Sequence, residues 1–114
     1  MSKSSLDRPE TGWVYDRVTT HPGEVLREDF LVPLGMSANA LAIRLRISAP
    51  RLHAILHERR AVTPDTAMRL ARCFGTSAQF WLNLQQTHDL TKAQQATGKK
   101  IEHEVEPLKL SRAA

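Results

Sequence analysis

Residues 37–56, SANALAIRLRISAPRLHAIL, constrain the fold of this chain more than any other stretch. Leu41, Ala42 and Leu45 repeat at helical spacing, and so do Leu52, Ile55 and Leu56, giving two apolar stripes. Only Arg46 and Ile47 lie between the first stripe and Ser48, so the connection is a tight turn. Ile47 fills the corner, and Ser48 is placed to cap the second helix. Ala42 is small where the two helices cross, and a larger side chain there would push them apart. Two short helices joined in this way form a helix-turn-helix, whose second helix is shaped to lie in the DNA major groove.

The charge is placed to suit that reading. The chain has 114 residues, enough for one core plus tails, and a formal net charge of +4. Arg44, Arg46, Arg51, Arg59 and Arg60 crowd the same region, with His53 and His57 among them and Glu58 as its acid. Local positive charge of this kind attracts phosphates and releases their counterions, so the implied partner is double-stranded DNA. Cys73 is the single cysteine, which rules out an intramolecular disulfide or a cysteine-based zinc cluster and fits a buried, inert thiol. The opening residues MSKSSLD lack an apolar core of the secretory kind, and no apolar run is long enough to cross a bilayer. The expected location is cytoplasmic, away from membranes.

Three parts follow from the pattern: a polar tail over 1–20, a helical domain over 21–89 and a C-terminal extension over 90–114. In the tail, Trp13 and Tyr15 form an aromatic patch that either folds back on the core or docks a partner. Thr20 or His21 caps a first helix with Pro22 in its first turn and Leu26 and Phe30 on its inner face, ended by Pro33 and Gly35. After the two-helix motif, Thr63-Pro64-Asp65 opens a fourth helix carrying Ala67, Leu70, Ala71 and Phe74, and Gly75 stops it. Ser77 opens a fifth, whose Phe80, Trp81, Leu82 and Leu84 spread over more than one face. That excess suits a homodimer, which the second subunit or the C-terminal segment would cover. Residues 91–100 read as a weak helix ended at Gly98. Ile101-Glu-His-Glu-Val-Glu106 alternates strictly, so it is either a short strand or a charged, solvated tail. The expected fold is therefore all-α, five helices with a short C-terminal strand as one alternative.

The first turns of a groove-reading helix face the bases, and here they hold Ser48, Ala49, Pro50, Arg51 and His53. Arg51 suits a bidentate contact to guanine, worth about 1–3 kcal/mol of discrimination, or alternatively a phosphate clamp. Ala49 and Pro50 suit thymine methyls. Arg59 and Arg60 follow the helix and suit phosphates, as does Ser37 with the backbone N–H groups of the preceding helix, which it caps. His53 and His57 have the i, i+4 spacing of a metal pair, but no third ligand accompanies them, so no metal is expected. Nor does any nucleophile–base set, carboxylate pair or phosphate loop stand out, so neither catalysis nor a cofactor is expected.

Four segments, in order, resemble the HigA family of antitoxins: His21-Pro-Gly-Glu-Val-Leu26, Pro33-Leu-Gly-Met-Ser37, Ala61-Val-Thr-Pro-Asp-Thr-Ala-Met-Arg-Leu-Ala71 and Phe74-Gly-Thr-Ser-Ala-Gln-Phe-Trp-Leu-Asn-Leu-Gln85. The resemblance spans residues 21–89. It implies a Cro/repressor-like domain that dimerises on operator DNA and represses its own promoter. It also implies direct neutralisation of a HigB-type toxin, a ribosome-dependent ribonuclease. Toxin contact is assigned to Trp13 and Tyr15, with the Glu102, Glu104 and Glu106 row as the second candidate, because a ribonuclease surface is basic. Three positions depart from the family pattern: Ala38 replaces a usual Gln, Arg46 a usual turn Gly, and Pro50 enters the recognition helix. They bear on the operator sequence and keep two other readings open: a repressor without a toxin, and a partner-sequestering module that has lost DNA binding.

Overall fold

The computed structural model describes residues 17–109, which contain five helices and no strand. The first, α1, is a continuous run of Pro22–Val25, a π-helical stretch Leu26–Leu31 and Val32–Leu34. His21 caps it, Nδ1 accepting from the Gly23 N–H at 2.8 Å. Pro33 does not end this helix. It lies just past the wider π turns, where the Val32 N–H already reaches back to Arg27 instead of the usual i−4 carbonyl. A proline lacking its own N–H is tolerated there. Gly35, at φ 61°, makes the stop.

Helices α2 (Ala38–Leu45) and α3 (Ala49–Leu56) form the expected helix-turn-helix, each capped by the expected serine. Ser37 Oγ accepts from Ala40 N at 3.1 Å and Ser48 Oγ from Arg51 N at 3.3 Å. The buried residues of α2 are Leu41, Ala42 and Leu45, and those of α3 are Leu52, Ile55 and Leu56, the two stripes read from the sequence. The turn between them closes with nested bonds from Arg46 N to Ile43 O and from Ile47 N to Ala42 O. Arg46 takes the left-handed conformation at φ 61°, where glycine is usual. The same closure ends α3, with Glu58 at φ 62° and bonds from Glu58 N to Ile55 O and from Arg59 N to Ala54 O.

Helix α4 (Pro64–Phe74) buries Thr66, Ala67 and Leu70 and lies against both α2 and α5 (Ala78–Glu104). Trp81 of α5 is fully buried, its indole N–H donating to Thr76 Oγ1 at 2.7 Å, with the Phe30 ring tilted against it at 5.2 Å. A large ring needs such a polar partner to be buried without cost. The C-terminal segment differs from expectation. Residues 101–104 are the last turn of α5, not a strand, and Gly98 does not interrupt that helix. Two-residue alternation over so short a stretch also fits an exposed helix, and an isolated strand has no edge to pair with. Continuation costs only the roughly 1 kcal/mol that glycine imposes on a helix. The helix therefore runs on past the compact part, giving extents of 55 × 30 × 26 Å.

Candidate nucleic-acid interface

The interface is built on α3. Its cap and first turn present Ser48 and Pro50 exposed and Ala49 half-buried, with Pro50 near the helix start where its missing N–H has no intrahelical bond to lose. His53 is half-buried, and its Nε2 lies 3.4 Å from Asn39 Oδ1 on the first turn of α2. One turn on, His57 Nδ1–H donates to the His53 carbonyl at 2.8 Å, and the two rings stack 6.2 Å apart. Ser37 is exposed beside the same surface, its oxygen already accepting from the helix it caps.

Arg51 behaves differently from its neighbours. Its Nη2 donates to Thr66 Oγ1 at 2.7 Å and lies 3.6 Å from Asp65 Oδ2, so the guanidinium ties the recognition helix to α4. Asp65 also accepts from Arg69 Nε at 2.8 Å, and Arg69 Nη1 donates to the Leu45 carbonyl at 3.0 Å. The Arg69 hydrogen bond, joined by the charges of Arg69 and Arg51, holds the Asp65 carboxyl below its ordinary range against an opposing desolvation. Arg51, Asp65 and Arg69 thus brace α3, α4 and the end of α2 together.

Arg59 and Arg60 are exposed in the loop after α3 and make no ion pair or hydrogen bond through their side chains among the described residues. That loop is nevertheless fixed from below. Buried Gln85 of α5 accepts from Val62 N at 2.8 Å and donates to Asp89 at 3.0 Å. Arg27 of α1 donates to the Leu56 carbonyl at the end of α3. Asn39, Gln85 and Arg27 were not legible as contributors. Gln85 does sit at the end of the Phe-Trp-Leu-Asn-Leu-Gln segment, and a glutamine in an apolar stripe signals a buried polar bond. Trp13 and Tyr15 lie outside the described residues.

A recognition helix presented over a braced frame, with free arginines at its exit, is a surface suited to a polyanion such as DNA. No family model matches the chain. Its structure superposes on the Pseudomonas aeruginosa antitoxin HigA, solved with the higBA promoter, at a TM-score of 0.77 and 51% identity, covering 79% of this chain and 98% of that one. The chain belongs to the HigA family. A HigA-family addiction-module antidote from Coxiella burnetii agrees, at a TM-score of 0.76 and 50% identity over 81% of this chain and 99% of that one. Virulence-associated protein I of Dichelobacter nodosus is 53% identical over 75 residues, 66% of this HigA-family chain and 69% of the relative. Among the described residues no helix is long and apolar enough to cross a membrane.

Proposed function

We propose that this HigA-family protein is a cytoplasmic, non-enzymatic antitoxin that binds its own operator as a homodimer, represses its promoter and neutralises a HigB-type ribonuclease by direct contact. The observation that carries the reading is the α2–α3 pair with its exposed N-terminal turn, on the fold of an antitoxin solved with its promoter at 51% identity. Ser48, Ala49, Pro50 and His53 face the bases, and Arg51 sets the height and angle at which they do so. Arg59, Arg60 and Ser37 hold phosphates. A paired arrangement is what specific binding requires, because one small module buries too little DNA surface. The second copy covers α5, where Phe80 is 38% and Leu90 49% exposed.

Toxin contact falls to the segment holding Trp13 and Tyr15, with Glu102 and Glu104 on the last turn of α5 as the second surface. The test pairs two measurements on one variant. Deletion of residues 1–16 leaves Thr19 in place, whose N–H donates to Thr91 Oγ1 at 3.0 Å and whose carbonyl accepts from His88 at 2.7 Å. Loss of toxin capture with promoter binding intact supports the assignment, and unchanged neutralisation moves it to the end of α5. Failure of the full chain to shift its promoter would instead favour the sequestering module suggested by Ala38, Arg46 and Pro50.

A further inference from the structure

The other end of the recognition helix carries arginines that no contact explains. Arg44 at the end of α2, Arg46 in the turn and Arg72 on α4 are all exposed and make no side-chain ion pair or hydrogen bond among the described residues. They line one open cleft of about 770 Å³, together with Arg69 and the apolar side chains of Ile43 and Met68, 73% and 58% exposed. The acid in the cleft, Asp65, is already matched by Arg69 and Arg51, so the cleft keeps an uncompensated positive charge. Exposed aliphatic surface beside arginines gives their stems something to lie on while the heads stay free.

Position says what this charge meets. Arg46 precedes the cap Ser48 by two positions, and Asp65 bonds both the cleft's Arg69 and α3's Arg51, so the cleft is continuous with the reading surface. Arg59 and Arg60 stand at the opposite end of α3. A helix the length of α3 spans about 12 Å at 1.5 Å per residue, close to the width of the major groove. Charge at one end of such a helix faces one phosphate wall, and charge at the other end faces the opposite wall. We propose that the cleft between α2 and α4 is a second phosphate-backbone site of the protein, with Arg44, Arg46 and Arg72 as its ligands. This rests on the operator-binding reading for its context but not for its test, since phosphate contacts are independent of sequence.

The experiment measures the salt dependence of binding to the operator and to a non-operator duplex of equal length. It uses the full chain and the variant Arg44→Ala/Arg46→Ala/Arg72→Ala. Loss of three phosphate contacts lowers the log–log salt slope by about 2–3 units per protomer, which weakens binding on the order of 100-fold at 0.15 M salt. The slope falls on both duplexes, and Arg44→Lys/Arg46→Lys/Arg72→Lys recovers most of it. An unchanged slope in the alanine variant, while Arg59→Ala/Arg60→Ala lowers it, overturns the inference. If the full chain shows no preference for its operator, the functional reading fails, but the slope on the non-operator duplex still decides the cleft. Unchanged helical content and melting in the alanine variant exclude misfolding as the cause.

Discussion

Arg51 provides the sharpest test of how the recognition helix is held. Its guanidinium donates to the hydroxyl of Thr66, which is 1% exposed, across 2.7 Å. A hydrogen bond from a charged donor contributes about 1.5–3 kcal/mol. Two features reduce that here: the Arg51 side chain is 29% exposed, and Thr66 keeps a long second partner in Thr63 at 3.4 Å. The exposed pairing with Asp65 adds no more than about 0.5 kcal/mol. Arg51→Ala should therefore cost about 1–2 kcal/mol, and at about 4–8 °C per kcal/mol for a domain of this size, Tm should fall by roughly 5–15 °C. The decisive assay is a double-mutant cycle of Arg51→Ala with Thr66→Val by thermal or urea unfolding, run beside operator binding. A brace gives a coupling of about 1 kcal/mol or more, well above the roughly 0.5 kcal/mol scatter of independent sites. A coupling near zero, accompanied by relaxed sequence preference at one base pair, would refute the brace and return Arg51 to direct base contact.

The remaining predictions concern pH, backbone geometry and the exit loop. His21 is buried, and that desolvation, with His88 beside it and Lys92 nearby, depresses its pKa below the ordinary 6.5 against the opposing pull of Glu58 and Asp89. The unfolded chain then binds more protons, so stability is full above about pH 6.5 and is lost as pH falls through that value toward the depressed one. His21→Asn, which keeps a capping oxygen without titrating, should flatten the melting temperature over that window, and an unaltered profile would dismiss His21 as the cause. A Cβ at Gly23 would drive into the Ile55 carbonyl, a backbone atom that cannot swing aside. Gly23→Ala should cost about 1–3 kcal/mol despite alanine's better helix propensity, read by urea unfolding. Glu58→Gly should do the opposite, relieving a left-handed strain of roughly 1 kcal/mol and raising Tm by a few degrees in a thermal melt, and an unchanged or lower Tm would show that no strain is stored there. Arg59→Ala/Arg60→Ala should weaken binding to every sequence and lower the salt slope by about one unit per lost contact, and a wild-type slope would remove both from the phosphate set.

The elements of the domain core were legible in the sequence because each is specified locally. Ser37, Ser48, Thr63 and Ser77 cap the helices they were read to cap, and the stripes of α2 and α3 bury the same six residues. Caps depend on bonds three residues apart and stripes on a 3.6-residue period, so both are written into neighbouring positions. The placement of the arginines was legible too, as a run along the chain. Their division of labour was not. Whether a guanidinium is spent or free depends on what α4 brings across from another part of the chain: Thr66 and Asp65 reach Arg51, while nothing described reaches Arg44, Arg46 or Arg72. The same holds for Gln85, whose bond to Val62 joins residues far apart in sequence and fixes the basic loop from below. The C-terminal end shows the reverse failure. Residues 101–104 alternate as a strand would, but with no partner strand in reach the helix already propagating from Ser77 continues through them, because extending a formed helix adds a backbone bond for each residue ordered. Local chemistry determined which segments are helices and where they begin; only the packing of α4 and α5 against the helix-turn-helix decided which of its charges remain available to a partner.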